Sequence, residues 1–236
     1  MFTSKIMKST TILILLLQFS LFAQKSNLEL DNNYFLLGTL SDYMGRTKSA
    51  DFNHCVERLN ENTEKTLILH LDTIFKKKYT DYHFDSTRKA IFSEKLSNEV
   101  NAFYDFKSIA GYTMNYDTIY RGTLKQNIFN TELQKISFIA GIYSRFGEIN
   151  KEEYFIRLLN STSKFSECLT ILKQLGCTDI KTIILKNIPL NQIVYFEPSK
   201  KLKEYLNHYK YFVKRRKFEM DRYIEKMSND NSNIKK

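Results

Sequence analysis

Apolar side chains recur at three- and four-residue intervals over the first hundred residues. In "YFLLGTLSDYM" Phe35, Leu36, Leu40 and Tyr43 fall at helical intervals, and Gly45 closes the run. "FNHCVERL" and "TEKTLILHLDTIFKKKY" continue the pattern, with Leu67, Leu71, Ile74 and Phe75 on one stripe and Thr63 as N-cap. "STRKAIFSEKLSNEVNAF" brings Ile91, Leu96, Val100 and Phe103 together. The spacing predicts a mainly helical region over 24–107, helix packed on helix. Between Lys107 and Asn130 the helical period fades. "AGYTMNYDTIYRGTL", rich in Tyr and Thr and flanked by Gly111 and Gly122, predicts extended chain.

The second half is patterned more sharply. "TELQKISFIAGIYSRFG" sets Leu133, Ile136, Ile139, Ala140 and Tyr143 on one face, with Gly147 at C′. "YFIRLL" is apolar on both faces apart from Arg157, as in a covered strand. "SKFSECLTILKQLG" is a helix with Phe165, Cys168, Leu169, Leu172 and Leu175 in register. "DIKTIILK" and "QIVYFE" are β-branched and aromatic strands, with Pro189 in the turn between them. "PSKKLKEYL" opens a last helix behind Ser199.

Over 108–209 the order predicts a right-handed parallel crossover followed by a hairpin. The fold class is therefore α+β: a helical N-terminal region, a small mixed sheet of about three strands packed with helices, and a long C-terminal helix. A basic amphipathic segment over 210–227 continues that helix. The polar residues 228–236 are expected to be disordered.

The N-terminus changes where this fold is expected to work. Lys5 and Lys8 precede an uncharged run ending at Ala23, the pattern of a cleaved signal peptide over 1–23. Its apolar middle, Ile12 to Phe22, is shorter than the roughly 20 residues of a membrane span, so a secreted or periplasmic product is expected. Cleavage there removes two lysines and no acid, taking the net charge from +10 to +8. Positive charge attracts anionic partners, but here it is mixed with acids along the chain, and solubility accounts for it equally. Nucleic acid is an unexpected partner for an exported chain. Cys55, Cys168 and Cys177 are odd in number, which leaves at least one thiol outside any intramolecular disulfide; three buried, reduced thiols are expected.

Candidate chemistry is sparse. Ser161, Thr162, Ser163 and Lys164 follow a strand and open a helix, where free N–H groups and the helix dipole favour an anion. The segment lacks the glycines and lysine spacing of a phosphate loop, and Ser163 as a plain N-cap explains it more simply. The four histidines have no metal-binding spacing, so no metal or cofactor is expected. No nucleophile elbow or Cys–His spacing occurs. Lys200, Lys203, Lys210, Lys214 and Lys217 form one row on the last helix, beside a row containing Leu202, Leu206, Tyr209, Val213 and Met220. The pattern leans against catalysis. It points to an exported, soluble binding or accessory protein, with a protein partner or an anionic ligand as its target. One rival is an enzyme or small-ligand protein using Ser161–Lys164. Another is contact between the basic helix and an acidic envelope surface.

Overall fold

The computed structural model describes residues 28–49, 54–150 and 153–234. The signal peptide expected over 1–23 lies outside the described residues. Among the described residues, six helices and three small antiparallel sheets make an α+β fold. No helix among the described residues is long and apolar enough to cross a membrane.

Helices α1 (Asn32–Thr39) and α4 (Glu132–Phe146) cross at the centre. Asp31 caps α1 through the N–H groups of Asn33 and Tyr34, and Thr131 with Gln134 forms a capping box on α4. Phe35, Leu37, Phe138, Ile139 and Tyr143 are wholly buried between them and their neighbours. The crossing depends on two glycines. A Cβ on Gly141 would lie 2.1 Å from the Phe35 carbonyl oxygen, and one on Gly38 would lie 2.2 Å from that of Phe138. Backbone cannot swing aside as a side chain does. Gly141→Ala should therefore cost about 1–3 kcal/mol in urea unfolding, the range for overpacking a core. An unchanged midpoint would mean that the two helices part freely.

α2 (Glu61–Phe75) and α6 (Lys200–Ile234) close over this pair. Asn60 caps α2, one turn earlier than the expected Thr63, and Thr63 is buried inside the helix. α6 buries Leu202, Leu206, Tyr209 and Val213 in the core. It then continues to Ile234, through residues 228–234 that their composition assigns to disorder. An existing helix adds each further residue without a new nucleus, so weakly helical polar residues still extend it.

The first sheet is ordered β1 (Arg46–Lys48), β6 (Thr118–Leu124), β5 (Tyr104–Tyr112). The second is β2 (Cys55–Arg58), β4 (Ala90–Phe92), β3 (His83–Asp85). The described residues of the segment 24–107 thus alternate helices with short strands instead of remaining mainly helical. "CVER" pairs with "AIF", and the helix expected from Ser86 begins only at α3 (Glu94–Asn101), behind Ser93. The cause is local: Asp85 accepts the N–H groups of Thr87 and Arg88, and Lys89 sits at φ +52°, so the chain turns back as a hairpin.

The third sheet is ordered β7 (Gly147–Asn150), β8 (Glu153–Leu159), β10 (Asn191–Glu197), β9 (Thr178–Leu185), with α5 (Thr162–Gln174) between β8 and β9. β8 and β9 run in the same direction, since both are antiparallel to β10. β10 inserts between them, so the expected mixed sheet has only antiparallel pairs. It also has four strands, because Gly147 is extended at φ −69° and leads straight into β7 instead of ending α4 in a left-handed turn.

Candidate functional site

The turn between β8 and α5 is where the sequence places its anion candidate. Ser161 is the N-cap, but its side chain makes no capping bond. Its Oγ instead donates to the Ser41 carbonyl at 3.4 Å, and its N–H donates to Gln192 Oε1 at 3.1 Å. Ser163, expected as the cap, is the second residue of the helix, and its Oγ accepts the Leu124 N–H at 3.3 Å. Thr162 is exposed. Lys164 has no exposed surface at all. Its ammonium lies 3.0 Å from the Asp42 carboxylate and donates to the carbonyls of Leu37 at 2.9 Å and of Leu40, with Gly38 at 3.4 Å. Those carbonyls end α1, so the lysine closes the negative pole of that helix. Burial pushes its pKa down and Asp42 opposes the shift. The four residues do not converge on an open pocket, and the only cation among them already has an internal counter-ion.

Two further buried cations surround this pair. Asp42 also accepts the Tyr104 hydroxyl at 2.7 Å. Burial, followed by the Asp42 charge, raises the phenol pKa well above its usual value, so Tyr104 stays a donor. Arg145, on α4, lies 2.6 Å from Glu64 and 3.2 Å from Glu57 and donates to the carbonyls of Thr39 and Arg58. Its burial disfavours the charge, but the two carboxylates more than offset that and its pKa rises. Glu57 also accepts the Ser41 N–H at 2.9 Å.

Arg46, in β1, is different. It is buried, yet among the described residues no carboxylate lies within 4.0 Å of it. Its guanidinium donates to Asn101 Oδ1, to the Val56 carbonyl at 2.9 Å and to the Cys55 carbonyl at 3.4 Å, and lies over the Tyr104 ring at 5.7 Å. A guanidinium carries five N–H donors, and these bonds engage three.

Arg46 lines a cavity of about 370 Å³ between the 41–49 segment and β2. Among the described residues, four cations (Arg46, Lys48, Arg58, Arg145) and two carboxylates (Asp42, Glu57) face it. Including the supporting Lys164 and Glu64 leaves the same surplus of two positive charges. Ser49, at 3% exposure, also lines it, and its Oγ has no hydrogen-bond partner among the described residues. The Cys55 thiol is pushed up by burial first and then by Glu57, so it remains a thiol and a poor nucleophile at neutral pH.

The remaining candidates stay apart from this cavity. Lys200, Lys203, Lys214 and Lys217 are exposed on α6 and Lys210 is half-buried. Lys203 pairs with Glu197 at 2.9 Å, and Lys210 lies 5.7 Å from the Tyr154 ring. The three cysteines are free, with Cys168 and Cys177 buried and Cys55 half-buried. The sequence patterns did not single out Arg46 or Arg145. No family model matches the sequence, and no curated protein is similar to it at a significant level.

Proposed function

We propose that the protein is an exported, non-catalytic binding protein that holds a small anionic ligand, bearing a carboxylate or phosphate, in the cavity beside Arg46. Export rests on the basic, apolar and small-residue pattern of residues 1–23. The anion rests on one observation: among the described residues, Arg46 is buried without a carboxylate partner and with N–H groups to spare. A buried cation balanced only by dipoles gains from a counter-ion, and the cavity's positive surplus draws one in. The volume suits a small molecule. The non-catalytic reading is supported by the walls. Asp42, Glu57 and Arg145 are committed to internal pairs, and for Cys55 burial and the Glu57 charge outweigh the pull of Arg58 and Arg46, so it stays a thiol.

Thermal unfolding with a panel of inorganic phosphate, phosphomonoesters and small dicarboxylates tests this. A bound member at a hundred times its Kd should add about 2.7 kcal/mol of stability. Lys48→Gln and Ser49→Ala should reduce that gain, while Lys217→Gln, on the distant face of α6, leaves it intact. A panel that moves the midpoint nowhere overturns the proposal, as does a gain indifferent to Lys48 and Ser49.

A further inference from the structure

We infer that β9 is a self-association edge, through which two copies of the chain join their sheets antiparallel about a two-fold axis at Thr182. β9 is the outer strand of β7–β8–β10–β9, bonded to β10 on one side and to no described strand on the other. Ile183, Ile184 and Leu185 are 42%, 53% and 45% exposed. Edge strands of monomers are usually short, bulged, or broken by proline and charge. β9 is eight residues long and contains no proline. Its one irregularity lies at the start, where Asp179 takes φ +51° and the pairing with β10 slips between Tyr195 and Glu197. From Lys181 to Leu185 the pairing is regular, and Lys181 is the one charge in that stretch.

Apolar packing continues behind the edge. Val194 and Phe196 belong to the core, so Ile193 and Tyr195, which alternate with them, face the other way. Tyr195 stacks on Phe155 at 5.0 Å, and Ile193 lies opposite Ile183. Ile193 and Phe155 are each only 5% exposed, so the open apolar surface is that of β9 itself.

The sequence of the strand selects a second copy as the occupant. Ile180, Thr182 and Ile184 read the same in both directions. An antiparallel copy centred on Thr182 sets each Ile180 opposite Ile184, Thr182 opposite itself, and the Lys181 stem across Ile183. β-branched and Thr–Thr pairs of this kind are favourable cross-strand neighbours. The charges agree. This register sets Asp179 opposite Leu185 and Lys181 opposite Ile183, so no like charges are opposed. Centring on Lys181 would oppose two ammonium groups, and a parallel copy would set Asp179 beside Asp179. A two-fold contact between identical strands also closes on itself and stops at a dimer.

Light scattering of the intact, purified chain tests the inference. The expected mass is twice that of one chain, and Ile184→Lys should halve it without lowering the thermal midpoint. Thr182→Cys provides a second reading that does not depend on weakening the contact. Residues directly opposite across an antiparallel pair have Cα atoms about 4.5–5.5 Å apart, within disulfide reach. Mild oxidation should give a reducible dimer from Thr182→Cys, and none from Lys217→Cys. A monomer at every concentration overturns the inference, as does a dimer that survives Ile184→Lys and fails to cross-link through Thr182→Cys. A foreign strand as the true occupant would give a monomer here. The anion cavity lies elsewhere in the fold, so ligand binding and dimer formation succeed or fail separately.

Discussion

Lys164→Met should cost about 3–5 kcal/mol in urea unfolding, the usual penalty for removing one partner of a buried ion pair. The Asp42 side chain is 2% exposed, and after the substitution it keeps only the Tyr104 hydroxyl among its strong partners. The carbonyls of Leu37 and Leu40 would lose their donor as well, leaving the end of α1 without its cap. Coupling distinguishes this account from simple loss of packing. Asp42→Asn alone should also destabilise, because it strands the ammonium. The double variant should cost clearly less than the sum of the two singles, since neither charge is then left alone. A cost below about 1 kcal/mol for Lys164→Met is the size of a surface ion pair and would contradict the buried pair. Anion binding at the cavity is a separate readout, because Lys164 is not one of its lining residues.

The same lysine shows how far the sequence carries and where it stops. "YFIRLL" followed by "SKFSECLTILKQLG" places a strand, a turn and a helix correctly, because covered strands and amphipathic helices leave patterns of period 2 and 3.6. Nothing in that pattern shows what the lysine faces, since its partner Asp42 is more than a hundred positions earlier in the chain. An exposed lysine and a buried one are written alike. Arg145 left a faint trace, since it stands at helical spacing from Phe138, Gly141 and Ile142 near the end of a stripe that is otherwise apolar. A charge on such a face calls for a buried carboxylate, yet it does not reveal that Glu57 and Glu64 supply it. Arg46 left no trace, lying in a three-residue strand too short for any period to emerge. The short strands of the first half were misread for the same reason. "CVER" and "AIF" carry three or four residues each, and helical spacing can be drawn through either until the turn at Asp85 is considered. The cavity therefore rests on long-range pairs, and periodicity records only local ones.

His70 supplies the second large effect, and it appears in acid. The ring packs against Phe35 at 5.3 Å and Phe212 at 4.9 Å, and its Nε2 is buried without a hydrogen-bond partner among the described residues. Burial, with a smaller push from His208, lowers its pKa from 6.5 to about 4. Above pH 6.5 the ring is neutral in both folded and unfolded chains and contributes no pH dependence. As the pH falls from 6.5 to about 4, the unfolded chain takes up a proton that the folded chain refuses, so stability falls. At 1.36 kcal/mol per pKa unit the loss across that window is about 3 kcal/mol, and it levels off once the folded ring also protonates. His70→Phe should remove this part of the acid limb while keeping an aromatic ring among Phe35, Tyr209 and Phe212. The measurement is the urea midpoint of both proteins at successive pH values between 7 and 4. Curves that separate steadily below pH 6.5, with the wild type falling faster, are the expected result. Parallel curves would show that His70 accepts its proton in the folded core as readily as in water.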